Sequence, residues 1–256
     1  MKPDKRALRT FAGLRRVIAT LRGPEGCPWD RVQTHESLRP HLLEEASEVI
    51  DALEEADPAR LCEELGDLLV HVLIHLQIAE ENGEFSLTDV IYGIADKLVR
   101  RHPHVFSSAV AETPAAVMEQ WDEIKRQERG DQSALTGIPQ ALPALARAQA
   151  LQQRAARAGL ASESIEQTWT ALEQKLHELR HADTPKQQRE EIGAALFALV
   201  NLSRRLDTDA EDALRSTANG FNDDFRRMEQ LAKERGIDSK GSGAVALWEE
   251  AQRRGD

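Results

Sequence analysis

Leu42-Leu-Glu-Glu-Ala-Ser-Glu48-Val-Ile-Asp-Ala-Leu53 and Leu61-Cys-Glu-Glu-Leu-Gly-Asp67-Leu-Leu-Val70 are the two stretches whose reading decides the fold. At about 100° per residue, Leu42, Leu43, Ala46, Val49, Ile50 and Leu53 fill one arc of a first helix. Leu61, Leu65, Leu68, Leu69, Val72 and Leu76 fill the matching arc of a second. Glu45 and Glu64 fall roughly 40° outside their arcs, and Glu48 and Asp67 roughly 100° outside. The connection Ala56-Asp57-Pro58-Ala59 is short enough to fold the helices back antiparallel, which draws all four carboxylates to the rim of a shared core. Like charges so placed repel and raise one another's pKa unless a cation neutralises them. Oxygen-only ligands suit a hard divalent cation, and Mg²⁺ prefers a few carboxylates, retained waters and a substrate's phosphates. Either motif alone reads as a solvated acidic face; the matched offsets of the pair favour a metal site. Glu54-Glu55 and Glu80-Glu81 lie near helix ends without such a pattern and read as surface.

The surrounding composition fits packed helices. Of 256 residues, 41% are hydrophobic but only 4% aromatic, with leucine and alanine abundant. No run of about 18 apolar residues exists, and the N-terminal Met-Lys-Pro-Asp-Lys-Arg leads into an amphipathic helix, so no membrane segment and a cytoplasmic location are expected. Cys27 and Cys62 form no disulfide framework, and Cys62, beside Leu61, reads as a small core residue. A net charge of −11 excludes a long nucleic acid held through its backbone. A single small nucleotide stays open, its phosphates met by metal and by the local cluster Lys97-Leu-Val-Arg100-Arg101-His102-Pro-His104. That cluster also suits a helix C-terminus on dipole grounds alone.

Coarse periodicity places helices near 5–22, 37–56, 58–82, 87–101 and 114–129, then 141–158, 163–182, 185–206, 208–235 and 243–253. Gly23 to Asp30 and Arg101 to Phe106 read as loops, and the stretch with Gly130, Gly137, Pro139 and Pro143 as a hinge, giving domains over 1–132 and 133–256. The halves resemble each other. Glu63-Glu64-Leu-Gly-Asp67 matches Glu190-Glu191-Ile-Gly-Ala194, and Trp121-Asp-Glu matches Trp248-Glu-Glu, at one common step of 127 residues. The second copy replaces Asp67 by Ala194, sets Gln174 and His177 against Glu45 and Glu48, and sets Gly220, Asp223 and Asp224 against Lys97, Arg100 and Arg101. Joint loss of acidic and basic sets implies that they serve one purpose and that the second half is structural or regulatory.

Gly26-Cys-Pro-Trp-Asp30 with Gln33-Thr34, the EExxE and ExxD pairs, Lys97-Leu-Val-Arg-Arg-His-Pro-His-Val-Phe106 and Trp121-Asp-Glu-Ile-Lys125 together resemble the MazG family of nucleoside triphosphate pyrophosphohydrolases, over nearly the whole chain. The resemblance implies an all-α fold of tandem helical bundles completed by dimerisation. It also implies hydrolysis, dependent on Mg²⁺ with Mn²⁺ as a substitute, of a nucleoside triphosphate to the monophosphate and pyrophosphate. Carried over, Glu45, Glu48, Glu64 and Asp67 match the metal ligands. Lys97 with Arg100 or Arg101 would hold phosphate oxygens, and Trp121 and Lys125 would lie near the nucleotide. Lys97 would also stabilise the departing pyrophosphate. Glu44 either accepts a proton from the attacking water or faces solvent.

Other residues keep plainer readings. His71 and His75, spaced i, i+4, can bind zinc but read as structural or surface histidines. Trp29 covers a base or plugs the helix junction, and Trp169 and Trp248 read as core or dimer contacts. A di-iron bundle needs two Glu-x-x-His pairs, and Glu178-Leu-Arg-His181 has no convincing partner. The competing function is a dimeric helical scaffold or regulatory partner without catalysis.

Overall fold

The computed structural model describes residues 4–160, 164–236 and 242–253; among these it is all-α, without strands. The expected helix start at 163 lies outside the described residues. The chain divides into two compact units, Met1–Ile124 and Lys125–Asp256.

The first unit opens with a 3-10 turn, Ala7–Arg9, and α1, Phe11–Arg22, followed by a short α2, Pro28–Arg31. Its centre is the antiparallel pair α3, Arg39–Glu54, and α4, Pro58–Asn82. The turn between them works because Ala56 takes a left-handed conformation (φ 51°) and Pro58 starts α4 with its φ preset. Asp57 caps α4 by accepting hydrogen bonds from the Ala59 and Arg60 amides at 2.9 and 3.3 Å. Ile18, Leu38, Leu73, Ile74, Leu76 and Ile78 form the core beneath this pair. Two ion pairs, Arg15–Glu80 at 2.6 Å and Arg22–Glu81 at 2.8 Å, tie α1 to the far end of α4. Glu80 and Glu81, read as plain surface, therefore act as anchors. The remaining helices of the unit are α5, Leu87–Arg101, started by a Ser86–Asp89 capping box, the short α6, Pro103–Phe106, and α7, Pro114–Arg129, within which the division between units falls.

The second unit holds α8, Ala144–Arg157, α9, Ile165–Arg180, α10, Pro185–Arg205, α11, Ala210–Arg235, and α12, Ser242–Arg253. α9 and α10 repeat the hairpin of α3 and α4, again with proline at the start of the second helix. Met228, Leu231, Ala232, Leu247 and Ala251 form a core between α11 and α12, against which Trp248 packs. Buried Gln149 of α8 stitches the α10–α11 turn: its Nε2 donates to the Thr208 carbonyl at 3.1 Å and its Oε1 accepts from the Ala210 amide at 2.9 Å.

Four expectations need correction. The segments 23–30 and 101–106, read as loops, each contain a short helix started by proline, a signal masked by the glycine and histidine around it. Cys62 is exposed, because it projects from the outer side of α4. The apolar stripe is only partly covered: Leu76 is buried, but Leu43, Ile50, Leu53, Leu65 and Val72 stay exposed, since one helix-on-helix contact covers less than the arc each helix carries. Trp29, at 54% exposure, does not plug a junction.

Replacing Gln149 with alanine removes both partners of a buried turn. An amide or carbonyl left unpaired costs about 1–3 kcal/mol, so Gln149→Ala lowers stability by at least about 2 kcal/mol in urea unfolding, with an unchanged denaturant slope.

Candidate metal centre and its surroundings

α3 presents Glu45 and Glu48 one turn apart, and α4 presents Glu64 across from them. One carboxylate oxygen from each of the three lies within 4.8 Å of the others, and all three residues are half-buried. Two ligands of one Mg²⁺ stand at most about 4.2 Å apart, given bonds near 2.1 Å. The trio thus needs only a small contraction to share an ion, and three hard oxygens match that ion in kind. Asp67, one turn beyond Glu64 on α4, is exposed and outside this trio.

The electrostatics identify the strain. Burial, and then the negative charges of Glu64 and Glu45, push the Glu48 carboxyl above its ordinary range. Two cationic or polar neighbours partly relieve the cluster. Arg60, one turn before Glu64, donates from Nε to Glu64 Oε1 at 3.3 Å and also pairs with Glu55, which holds it firmly protonated. His71 is buried, with Nε2 3.7 Å from Glu45 Oε1 and Nδ1 without a hydrogen-bond partner. Its burial, and then the neighbouring His41, lower its pKa, against the opposing charge of Asp67. A neutral imidazole beside Glu45 leaves that carboxylate's charge available to a cation.

Glu44 points to the exposed side of α3, where its Oε2 is 3.5 Å from His41 Nδ1. His41 lies 6.5 Å from His71 and 6.2 Å edge-on from Trp29, ring centre to ring centre, so the α2 tryptophan stands beside the acidic site. Deeper in the unit His75 meets His35, Nδ1 to Nδ1 at 2.7 Å. The i, i+4 histidines therefore do not face one ligand together; one serves the acidic rim and the other a second imidazole.

The basic residues occupy another part of the unit. Lys97, Arg100 and Arg101 end α5, with Arg100 3.8 Å from Asp96. The Arg101 guanidinium stacks 5.3 Å above the Trp121 ring, which meets His102 edge-on at 5.0 Å. His104 joins Gln120 at 3.0 Å. Lys125 is one turn beyond Trp121 on α7.

His41, Arg60 and His71 are site neighbours that the carboxylate motifs did not reveal. Their spacing was a usable signal: His41, Glu45 and Glu48, and Arg60, Glu64, Asp67 and His71, are two stripes at steps of four and three, each lining one helix edge.

Residues 33–106 match a family model described as the MazG nucleotide pyrophosphohydrolase domain. The chain is 42% identical over 229 residues, 89% of its length, to the nucleoside triphosphate pyrophosphohydrolase/pyrophosphatase MazG of Thermotoga maritima, covering 88% of that protein. It is 39% identical over 250 residues, 93% of its length, to the nucleoside triphosphate pyrophosphohydrolase of Escherichia coli K12, covering 95% of that protein.

Because the folded Glu48 pKa is raised, the stability linked to it is present when the carboxyl is protonated and is lost as pH rises through that elevated range. At pH 7 without divalent cation, Glu48→Gln therefore raises the thermal midpoint by a few degrees, a gain that vanishes near pH 4. Added Mg²⁺ stabilises the parent more than the variant, read by scanning calorimetry.

Proposed function

Because the chain belongs to the MazG family of nucleotide pyrophosphohydrolases, we propose that it hydrolyses nucleoside triphosphates between the α and β phosphates in a Mg²⁺-dependent reaction whose site is the first unit. The single observation that carries this reading is the half-buried trio Glu45, Glu48 and Glu64, whose mutual repulsion only a cation relieves fully. The family match at residues 33–106 spans that trio, Asp67 and the basic end of α5.

In this reading Glu45, Glu48 and Glu64, with the exposed Asp67 one turn further along α4, would hold the ion. Bound by these carboxylates, Mg²⁺, or Mn²⁺ with the same oxygen ligands, would neutralise triphosphate charge and acidify water. Glu44, exposed beside the trio, accepts a proton from the attacking water. The water oxygen bonds to the α-phosphorus as the bond to the α–β bridging oxygen breaks, so the nucleotide leaves as monophosphate and the bridging oxygen departs with pyrophosphate. Lys97, Arg100 and Arg101 hold phosphate oxygens and offset charge on the leaving pyrophosphate. Trp121, carrying Arg101 on its face, and Lys125 line the nucleotide end.

We further assign a homodimer. Val90, Ile91, Ile94 and Leu98 form an exposed apolar stripe at helical spacing on α5, and Leu43, Ile50, Leu53, Leu65 and Val72 are the uncovered part of the α3–α4 stripe. A second copy of the chain has the same stripes to offer, so an isologous pairing buries both at once. The second unit, with Ala194 in place of Asp67, is assigned a structural role. Among the described residues, no helix is long and apolar enough to cross a membrane.

The decisive measurement is pyrophosphate release from a panel of nucleoside triphosphates with Mg²⁺. Glu45→Ala and Glu64→Ala each lower kcat/KM by about 100-fold or more, whereas Glu191→Ala stays within about twofold of the parent. Activity that survives the first two substitutions removes the site assigned to the first unit; loss with the third moves it to the second. Ile94→Asp converts the dimer to monomer in light scattering, since an unpaired buried charge is not tolerated in an apolar interface.

A further inference from the structure

The hairpin α9–α10 places a lysine where α3–α4 places a glutamate. Sequence matching alone set Gln174 and His177 against Glu45 and Glu48, but the contacts move the register by one residue. Glu64 and Glu191 each stand six residues after the proline that starts their helix, Pro58 and Pro185. The charged groups that act on Glu191 from α9 are Glu178 and Lys175. Lys175 and Glu178 keep the i, i+3 spacing of Glu45 and Glu48, and all three second-unit residues are half-buried, as their counterparts are. His177, by contrast, is exposed and stacks on His181 at 4.2 Å.

Lys175 Nζ donates to Glu178 Oε2 at 2.6 Å, and Gln174 Nε2 donates to Glu178 Oε1 at 2.8 Å, so both carboxylate oxygens are engaged. Glu191 Oε2 is buried without a hydrogen-bond partner and is offset by charge alone. We propose that α9–α10 retains the counterpart of the first unit's cation site, and that the ammonium of Lys175 fills it in place of a divalent ion.

The titration behaviour agrees in sign. Glu48, with a glutamate one turn before it, is pushed up by burial and like charge; Glu178, with a lysine there, is held down by the lysine's hydrogen bond and then by Gln174. A tethered ammonium costs no binding equilibrium and offers no open coordination position, so the second unit keeps its hairpin closed whether or not divalent cation is present. The loss of metal chemistry there is a replacement of the ion, and it is separable from the folding of the hairpin.

This inference rests on Glu45, Glu48 and Glu64 being a cation site, and the test separates the two. Mn²⁺ bound to the full chain is counted by electron paramagnetic resonance in the parent, in Glu45→Ala/Glu64→Ala, and in that double variant further carrying Lys175→Glu with Ala194→Asp. The first-unit reading requires the double variant to lose the parent's bound Mn²⁺; retention overturns that reading and still leaves the second unit's count legible. The present inference requires the quadruple variant to gain about one Mn²⁺ per chain over the double variant, with a thermal midpoint that is low without Mn²⁺ and recovers with it. No gain, or a chain that stays unfolded in excess Mn²⁺, overturns it. Lys175→Met in the otherwise unchanged chain adds a check that needs no new site: the midpoint falls and Lys175→Arg restores it, and a Lys175→Met midpoint equal to the parent's overturns the inference.

Discussion

Repulsion among carboxylates held on one edge of a helix hairpin is the constraint on which the rest of this molecule turns. Glu45, Glu48 and Glu64 are half-buried, and one oxygen from each gathers within 4.8 Å of the others. Hydrophobic burial along α4, centred on Leu73, Ile74 and Leu76, positions them; it cannot also relax them. A helix pair that buries its apolar stripe must therefore present this charge at the rim, and a counter-charge has to come from elsewhere. Arg60 supplies part of it from within the chain, and the raised Glu48 pKa shows that repulsion remains.

The two units answer the same constraint in two ways. In the first, a glutamate starts the i, i+3 pair, and on the proposed reading the site would then depend on an ion from solution, as a phosphate-binding centre does. In the second, the lysine at that position contacts its partner carboxylate at 2.6 Å and supplies a positive charge from within the chain. The two hairpins thus share one form with one charge reversed, which on the proposed reading removes the need for a metal. The same physics explains why the second hairpin tolerates the half-buried Glu191, one of whose carboxylate oxygens is buried: the charge of Lys175 acts on it.

Around the site the arrangement divides labour between rigid and open parts. α1 is bound to α4 by Arg15–Glu80 and Arg22–Glu81, and Arg22 reaches further to the carbonyls of Asp30 and Gln33, so α2, which carries Trp29, is tied to α1. α5 to α7 carry the guanidinium–indole stack of Arg101 on Trp121 and leave apolar side chains open on α5. The acidic trio and the basic cluster Lys97, Arg100 and Arg101 thus reside on different helices of the unit.

Much of this was legible in residue order. Period and punctuation located the long helices, because a 3.6-residue repeat bounded by proline, glycine and capping residues has few alternative readings: Asp57-Pro58 and Thr184-Pro185 mark helix starts as plainly in sequence as in space. The acidic trio was legible too, since i, i+3 spacing on each of two consecutive helices leaves little freedom once the hairpin closes. Only the tertiary structure decided which residues complete the site. His41, Arg60 and His71 acquire their roles from side-chain reach across helices, and Cys62 proved exposed because a position beside a stripe lies outside it as easily as within. The second hairpin's register, too, was settled in space: sequence similarity weighs residue identity, whereas the contact of Lys175, Glu178 and Glu191 depends on where α9 ends relative to α10. Periodicity is a property of one helix at a time and can be read along the chain, whereas charge compensation belongs to the neighbours that folding selects.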